Sequence, residues 1–251
     1  MHEVEMQEPT QAFARMWQAA GMHIEDRAGE EFRGWLKAQL HPPFLEHLSF
    51  RLGNQLFFVR VVDVDNQVEG PGGIRGLQRI ASGCQGHACL LPMKKGQSGW
   101  ATATSGWGLL DTVTQRPVDP VACITDELIP MTDWELQDFA VQVVRQSLEK
   151  DGHELMSWAG DPGIDPSIWF VGPHGPEWVV VRAARYPDEE PPRPRNWDGI
   201  AQHCSRMSRR GNFAAVGVAC VEGLTGKVPG EGSTLFRGYG MHVRYLGLQS
   251  A

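Results

Sequence analysis

The apolar pattern of this chain is written twice. Phe57-Phe58-Val59-Arg60-Val61 in the first half has a counterpart in Val179-Val180-Val181-Arg182-Ala183 in the second. Gly73-Ile74 opens one helix-like segment and Gly199-Ile200 opens another. Gly106-Trp107-Gly108-Leu109 matches Gly238-Tyr239-Gly240-Met241. The matches keep their order, and the separation between partners grows along the chain, as insertions confined to loops would produce. This predicts one unit used twice: an N-terminal helix over 1–24, a first α/β module over 25–125 and a second over 126–251. Arg60 should then pair with Arg182, and Trp107 with Tyr239.

Periodicity supplies the elements. Phe13, Met16, Trp17 and Ala20 share a helical face over 8–20, with Pro9 near its start and Gly21 as its stop. Phe32, Trp35, Leu36 and Leu40 form a second stripe over 29–40, ended by His41-Pro42-Pro43. Strand-like runs at 45–52 and 56–64 flank Gly53-Asn54, a hairpin signal. GPGGIRG (70–76) leads into a helix at 74–82 and a strand at 87–92. In the second half Thr132 and Glu135 form a capping box. The helix it opens has Trp134, Leu136, Phe139, Val143, Val144 and Leu148 as apolar positions. Strands follow at 153–160, 167–172 and 177–186. An acidic, proline-rich loop, PDEEPPRPR, then leads to a helix at 196–208 and a buried strand at 213–222.

Composition sets limits on what such modules can do. The 251 residues leave room for two modules of roughly 125, each with its own core. Hydrophobic residues at 41% and charged ones at 21% exclude long disorder. The apolar runs fall far short of the ~18 residues a membrane helix needs, and the acidic start, MHEVEMQEPT, does not read as a signal peptide. Five cysteines, an odd number, read as reduced thiols in a cytoplasmic compartment. Acids outnumber bases 30 to 23, a net charge of −7, which argues against coating DNA or an anionic membrane by bulk charge. A protein partner is favoured over nucleic acid, and no membrane partner is expected.

The order helix, three strands, helix, strand in each half resembles the core of the restriction-endonuclease-like superfamily, the PD-(D/E)xK nucleases. The likeness is one of topology and is clearest over 132–222. It implies an α+β fold: two α-β-β-β-α-β modules with mixed sheets. In that family an acid at the start of the second strand and an acid-x-Lys on the third hold Mg²⁺. By the resemblance the first acid falls at Ser167, with Asp165 two residues early, and the acid-x-Lys falls at Val180-Val181-Arg182. In the first half Phe58-Val59-Arg60 takes that place. Valine and phenylalanine cannot hold a hard cation, so the expectation is a degenerate fold without catalysis and without a cofactor. The alternative is a Mg²⁺-dependent nuclease with a relocated site drawn from Asp161, Asp165, Glu177 and Arg182, with Asp198 nearby.

Other motifs read as structure. GPGGIRG is separated from its strand by four residues and lacks the spacing of a phosphate loop. Cys84, His87 and Cys89 are close in sequence, as are His203 and Cys204, but no CxxC pair occurs, so no zinc site is expected. Trp107 and Tyr239 pack over neighbouring glycines. One charge feature stands out: arginines 182, 185, 193, 195, 206, 209 and 210 lie in a single stretch. Arginine recognises carboxylate and phosphate through a planar fork. Arg193, Arg195, Arg206, Arg209 and Arg210 are the expected binding surface, the last three sharing a helical face. Salt bridges to Asp188, Glu189 and Glu190 are the competing use of that charge.

Overall fold

A computed structural model describes residues 9–32, 34–38, 47–188 and 190–250. The chain is mixed α+β and divides into two compact units, Met1–Glu127 and Leu128–Ala251.

In the first unit, helix α1 (Gln11–Ala28) begins where Thr10 Oγ1 accepts the Phe13 N–H at 3.2 Å. It buries Phe13, Met16, Trp17, Ala20, Ile24 and Ala28 on one face. The helix does not stop at Gly21. Its apolar stripe continues through Ile24, and an interior glycine costs only about 1 kcal/mol. Gly29, in the left-handed region at φ 54°, ends it. The helix expected over 29–40 is absent from its described part. A single 3₁₀ turn at Gly29–Glu31 is followed by strand β1 (Trp35–Lys37). Trp35 stands edge-on to Phe32 and to Phe50, while Leu36 points outward. Alternation, not a helical stripe, places these residues; Leu40 lies outside the described residues. Strands β2 (Leu48–Leu52) and β3 (Gln55–Asp63) form the expected hairpin across Gly53-Asn54. Helix α2 (Ile74–Gly83) crosses to β4 (His87–Gly96), which lies parallel to β3. β5 (Gly99–Thr102) and β6 (Leu110–Asp111) both pair antiparallel with β4.

The second unit repeats this plan. Helix α3 (Asp133–Lys150) precedes β7 (Glu154–Trp158), β8 (Ile168–Gly172) and β9 (Gly175–Arg185). Helix α4 (Trp197–Cys204) crosses to β10 (Gly211–Cys220), parallel to β9. A one-turn helix α5 (Val221–Leu224), β11 (Met241–Tyr245) and β12 (Gln249–Ser250) follow. The sheet orders are β1-β2-β3-β4-β5 and β11-β10-β9-β8-β7, with β6 on β4 and β12 on β10.

Register agrees as well as order. Leu48↔Val59 and Leu52↔Gln55 in one hairpin correspond to Ile168↔Val179 and Gly172↔Gly175 in the other. Phe58↔Ala88 corresponds to Trp178↔Gly211 in the parallel pair, and Leu90↔Leu110 to Phe213↔Gln249 at the last strand. This register corrects two expected pairs. Arg60 falls opposite Val180 in the comparison; Arg182 is on the same strand and the same face, two residues further on. Trp107 lies between β5 and β6, whereas Tyr239 lies before β11, so the two glycine-flanked aromatics are not equivalents.

Each sheet buries one face under its first helix: Phe57, Val59, Cys89, Leu91 and Met93 under α1, and Val179, Val181, Ala214, Val216 and Val218 under α3. On the other face of the second sheet, Trp178, Val180 and Phe213 pack with Ile200 and Cys204 of α4. The Trp178 indole lies against the backbone of Gly211, so a methyl group there would overlap the ring. Gly211→Ala is expected to destabilise the protein by about 1–3 kcal/mol, the cost of overpacking a filled core, read as a shift in denaturant midpoint with an unchanged m-value.

Candidate functional site

The positions that the nuclease resemblance would assign are Ser167, just before β8, and Val180 and Arg182 on β9. Ser167 is buried, and its Oγ accepts the Val181 N–H at 3.2 Å, so a strand-bridging hydroxyl stands where the resemblance would put the first acid. Val180 is fully buried in the α4 cluster. The relocated candidates do not converge. Asp165 and Arg182 meet in a two-pronged pair, at 2.9 and 2.6 Å, which neutralises both. Asp161 accepts the Gly163 N–H at 2.8 Å in a local turn. Glu177 sits five residues before Arg182 on β9 and accepts from Asn212 Nδ2 at 3.1 Å. Asp198 is exposed in the first turn of α4. Among the described residues no three His, Cys, Asp or Glu side chains are placed to hold a metal ion.

The cysteines are free thiols, with Cys84, Cys89, Cys204 and Cys220 buried. Burial, and the nearby Asp111 and Cys123, push Cys89 up to about 12. Burial and the charge of Asp165 push Cys204 up to about 11. A thiol held protonated at neutral pH is a packing residue, not a nucleophile. In the GPGGIRG segment the carbonyls of Gly70 and Pro71 face Arg60, at 3.4 and 2.9 Å. Asp63 ties the approach by accepting N–H groups from Asp65, Gln67 and Val68.

The arginines split into tied and exposed groups. Arg185 donates to Asp133 at 2.5 Å and to the Met131 carbonyl at 2.9 Å. The Arg193 guanidinium lies 5.0 Å from the Trp197 ring centre and donates to the Ser250 carbonyl at 3.2 Å. Arg210 donates to the His174 carbonyl. Arg195, Arg206 and Arg209 are exposed. The helical-face argument for 206, 209 and 210 fails, because α4 ends at Cys204. Trp178 takes the chain away from the helix: its indole N–H donates to the Ser208 carbonyl, and its backbone N–H to that of Arg210, each at 3.1 Å. The three arginines therefore stand on a turn and the strand entry. Asp188 gives its backbone N–H to the Arg185 carbonyl, and Glu190 contacts Arg244 at 3.4 Å. Glu189 lies outside the described residues.

One feature escapes the sequence reading. A cleft of about 820 Å³ opens between the start of α3 and the end of β9, walled by the proline-rich segment. Leu136, Gln137, Ala183 and Ala184 line its floor, and Asp133, Arg185, Asp188 and Glu190 its sides. The available signal was Gln137, a polar residue inside the apolar stripe of α3, where it is 6% exposed.

A family model described as a domain of unknown function (DUF8840) matches residues 134–251, which takes in the sheet, the cleft lining except Asp133, and the arginine segment of the second unit. No curated protein and no solved structure matches the chain.

Proposed function

We propose that the chain is a non-catalytic binding protein that holds a protein partner through the arginines following α4. The observation that carries this is the contrast in use of charge. Arg182 and Arg185 are each held by a carboxylate. Arg206 and Arg209 are exposed and have no partner among the described residues. Two unpaired guanidinium groups so close in sequence, with Arg195 on the preceding loop, suit a carboxylate-bearing protein surface. The α-β-β-β-α-β order of each unit supports a restriction-endonuclease-like ancestry used twice. Ser167 and Val180 at the metal-binding places support loss of the chemistry.

The test pairs two measurements. Binding partners recovered by the full chain should be lost with Arg206→Glu/Arg209→Glu and should weaken as salt rises, since exposed charges are screened within about 8–10 Å at physiological ionic strength. The double variant should unfold at the same temperature as the parent. Cleavage of plasmid or linear DNA with Mg²⁺ or Mn²⁺, abolished by chelation, would overturn the reading.

A further inference from the structure

We infer that the cleft beside α3 is a binding site for an alkyl guanidinium or ammonium group. The inference is independent of the arginine surface proposed above.

The first observation is a polar residue in an apolar place. Five of the six buried positions of each leading helix match at one spacing, leaving out Ala28 and Leu136. Phe13, Met16, Trp17, Ala20 and Ile24 of α1 correspond to Gln137, Ala140, Val141, Val144 and Leu148 of α3. In the first unit Phe13 lays its ring against Gly70. In the second unit the same place holds an amide that lines an open cleft. A buried amide is costly unless its hydrogen bonds are made. Gln137 makes one of them: Nε2 donates to the Val181 carbonyl at 2.9 Å. That acceptor fixes which end of the amide is the nitrogen. Oε1 accepts nothing among the described residues, so the polar atom that Gln137 leaves for the cleft is an acceptor.

The second observation is the chemistry of the walls. Asp188 has no side-chain partner among the described residues, and Glu190 has a long, exposed contact with Arg244. Arg185 also lines the cleft, but Asp133 and the Met131 carbonyl occupy its guanidinium. The unspent groups are therefore acceptors, the Asp188 carboxylate and Oε1 of Gln137, while Glu190 is shared with Arg244. An anionic ligand would meet the Asp188 carboxylate unshielded. A cationic donor suits the Asp188 carboxylate and Oε1 of Gln137, and charge-assisted hydrogen bonds are the stronger kind. Leu136, Ala183 and Ala184 offer an apolar track for an alkyl stem. The volume falls in the range of small-ligand sites, about 300–1,000 Å³, and exceeds what one guanidinium fills, so the stem belongs to the ligand.

Calorimetric titration of the full chain tests this with agmatine, 1,4-diaminobutane, the neutral isostere butane-1,4-diol, and an acetylated, amidated Gly-Arg-Gly peptide. At least one cationic probe should bind, and the diol should not. Binding of agmatine without the peptide assigns a free small amine; binding of the peptide assigns an arginine or lysine side chain of a polypeptide. Asp188→Asn should weaken the bound probe about tenfold, the scale of one hydrogen bond to a charged group. Gln137→Phe, which copies the first unit, should abolish binding while the far-ultraviolet circular dichroism stays unchanged. If that variant fails to fold, Asp188→Asn, altered at an exposed side chain, decides alone. Silence from every cation, equal binding of the diol, or full affinity in Asp188→Asn would overturn the inference.

Discussion

Replacing Arg237 by alanine is expected to lower stability by about 3–5 kcal/mol, the cost of breaking a buried ion pair by removing one partner. Arg237 Nε and Nη2 reach the two oxygens of Glu135 at 2.8 and 3.0 Å, and the two side chains are 2% and 9% exposed. Glu135 is also half of the α3 capping box. Its Oε2 accepts the Thr132 N–H at 2.9 Å, and its own N–H goes to Thr132 Oγ1 at 3.2 Å. Backbone bonds lie on either side, from Met131 N–H to the Leu235 carbonyl at 2.7 Å and from Arg237 N–H to that of Ile129 at 3.0 Å. One carboxylate thus serves both the start of a helix and a segment a hundred residues later. Without Arg237 it stays buried with a backbone donor and no counter-charge. Denaturant unfolding of the full chain measures the loss. Glu135→Leu/Arg237→Met should recover much of it, because an apolar pair carries no desolvation penalty, and the double-mutant cycle gives the coupling directly. A loss below about 1 kcal/mol in Arg237→Ala, the range of exposed pairs, would show that the pair is solvated.

What the sequence reveals here is mostly local. Thr132 and Glu135 announce a helix start because the capping box closes within four residues. Gly53-Asn54 announces a hairpin because two residues suffice to turn the chain. The interval 29–40 misleads because Phe32, Trp35 and Leu36 satisfy a helical spacing by coincidence; the glycines at 29 and 34, both with positive φ, decide against it. The start of α3 shows the limit: its capping box is legible, its clamp by Arg237 is not. The arginine segment misleads in a similar way. Its spacing suits a helix, but Trp178, on a strand and thirty residues before the Ser208 carbonyl it holds, withdraws the backbone after Cys204. The cleft was illegible because its floor comes from α3 and β9 and its wall from a proline-rich loop, three stretches joined only by the fold. The plan shared by the two units was legible in the order of elements and not in the residue pairs Arg60/Arg182 and Trp107/Tyr239, since strand register, which side-chain matches do not reveal, fixes equivalence.

His47 should make the first unit acid-sensitive. It is 6% exposed at the entry to β2, its ring lies 5.7 Å from that of Phe58, and its Nε2 has no hydrogen-bond partner among the described residues. Burial, and secondarily the charge of Lys37, lower its pKa to about 3. The folded protein therefore refuses a proton that the unfolded chain accepts at about 6.5. Above that value the residue contributes no pH dependence. As pH falls below it the unfolded state binds the extra proton and is favoured, and the penalty grows until the folded-state pKa is reached. Each unit between the two values is worth about 1.4 kcal/mol, so the residue should account for a loss of about 2 kcal/mol between pH 7 and pH 5. His47→Phe removes the titrating group, keeps the ring against Phe58 and discards an unpaired polar nitrogen. The carboxylates contribute equally in both proteins, so the difference between their stability curves isolates the histidine. Urea midpoints at pH 7 and pH 5 should separate for the parent by that margin more than for His47→Phe. Parallel curves over this interval would mean that His47 titrates in the folded protein as it does in water.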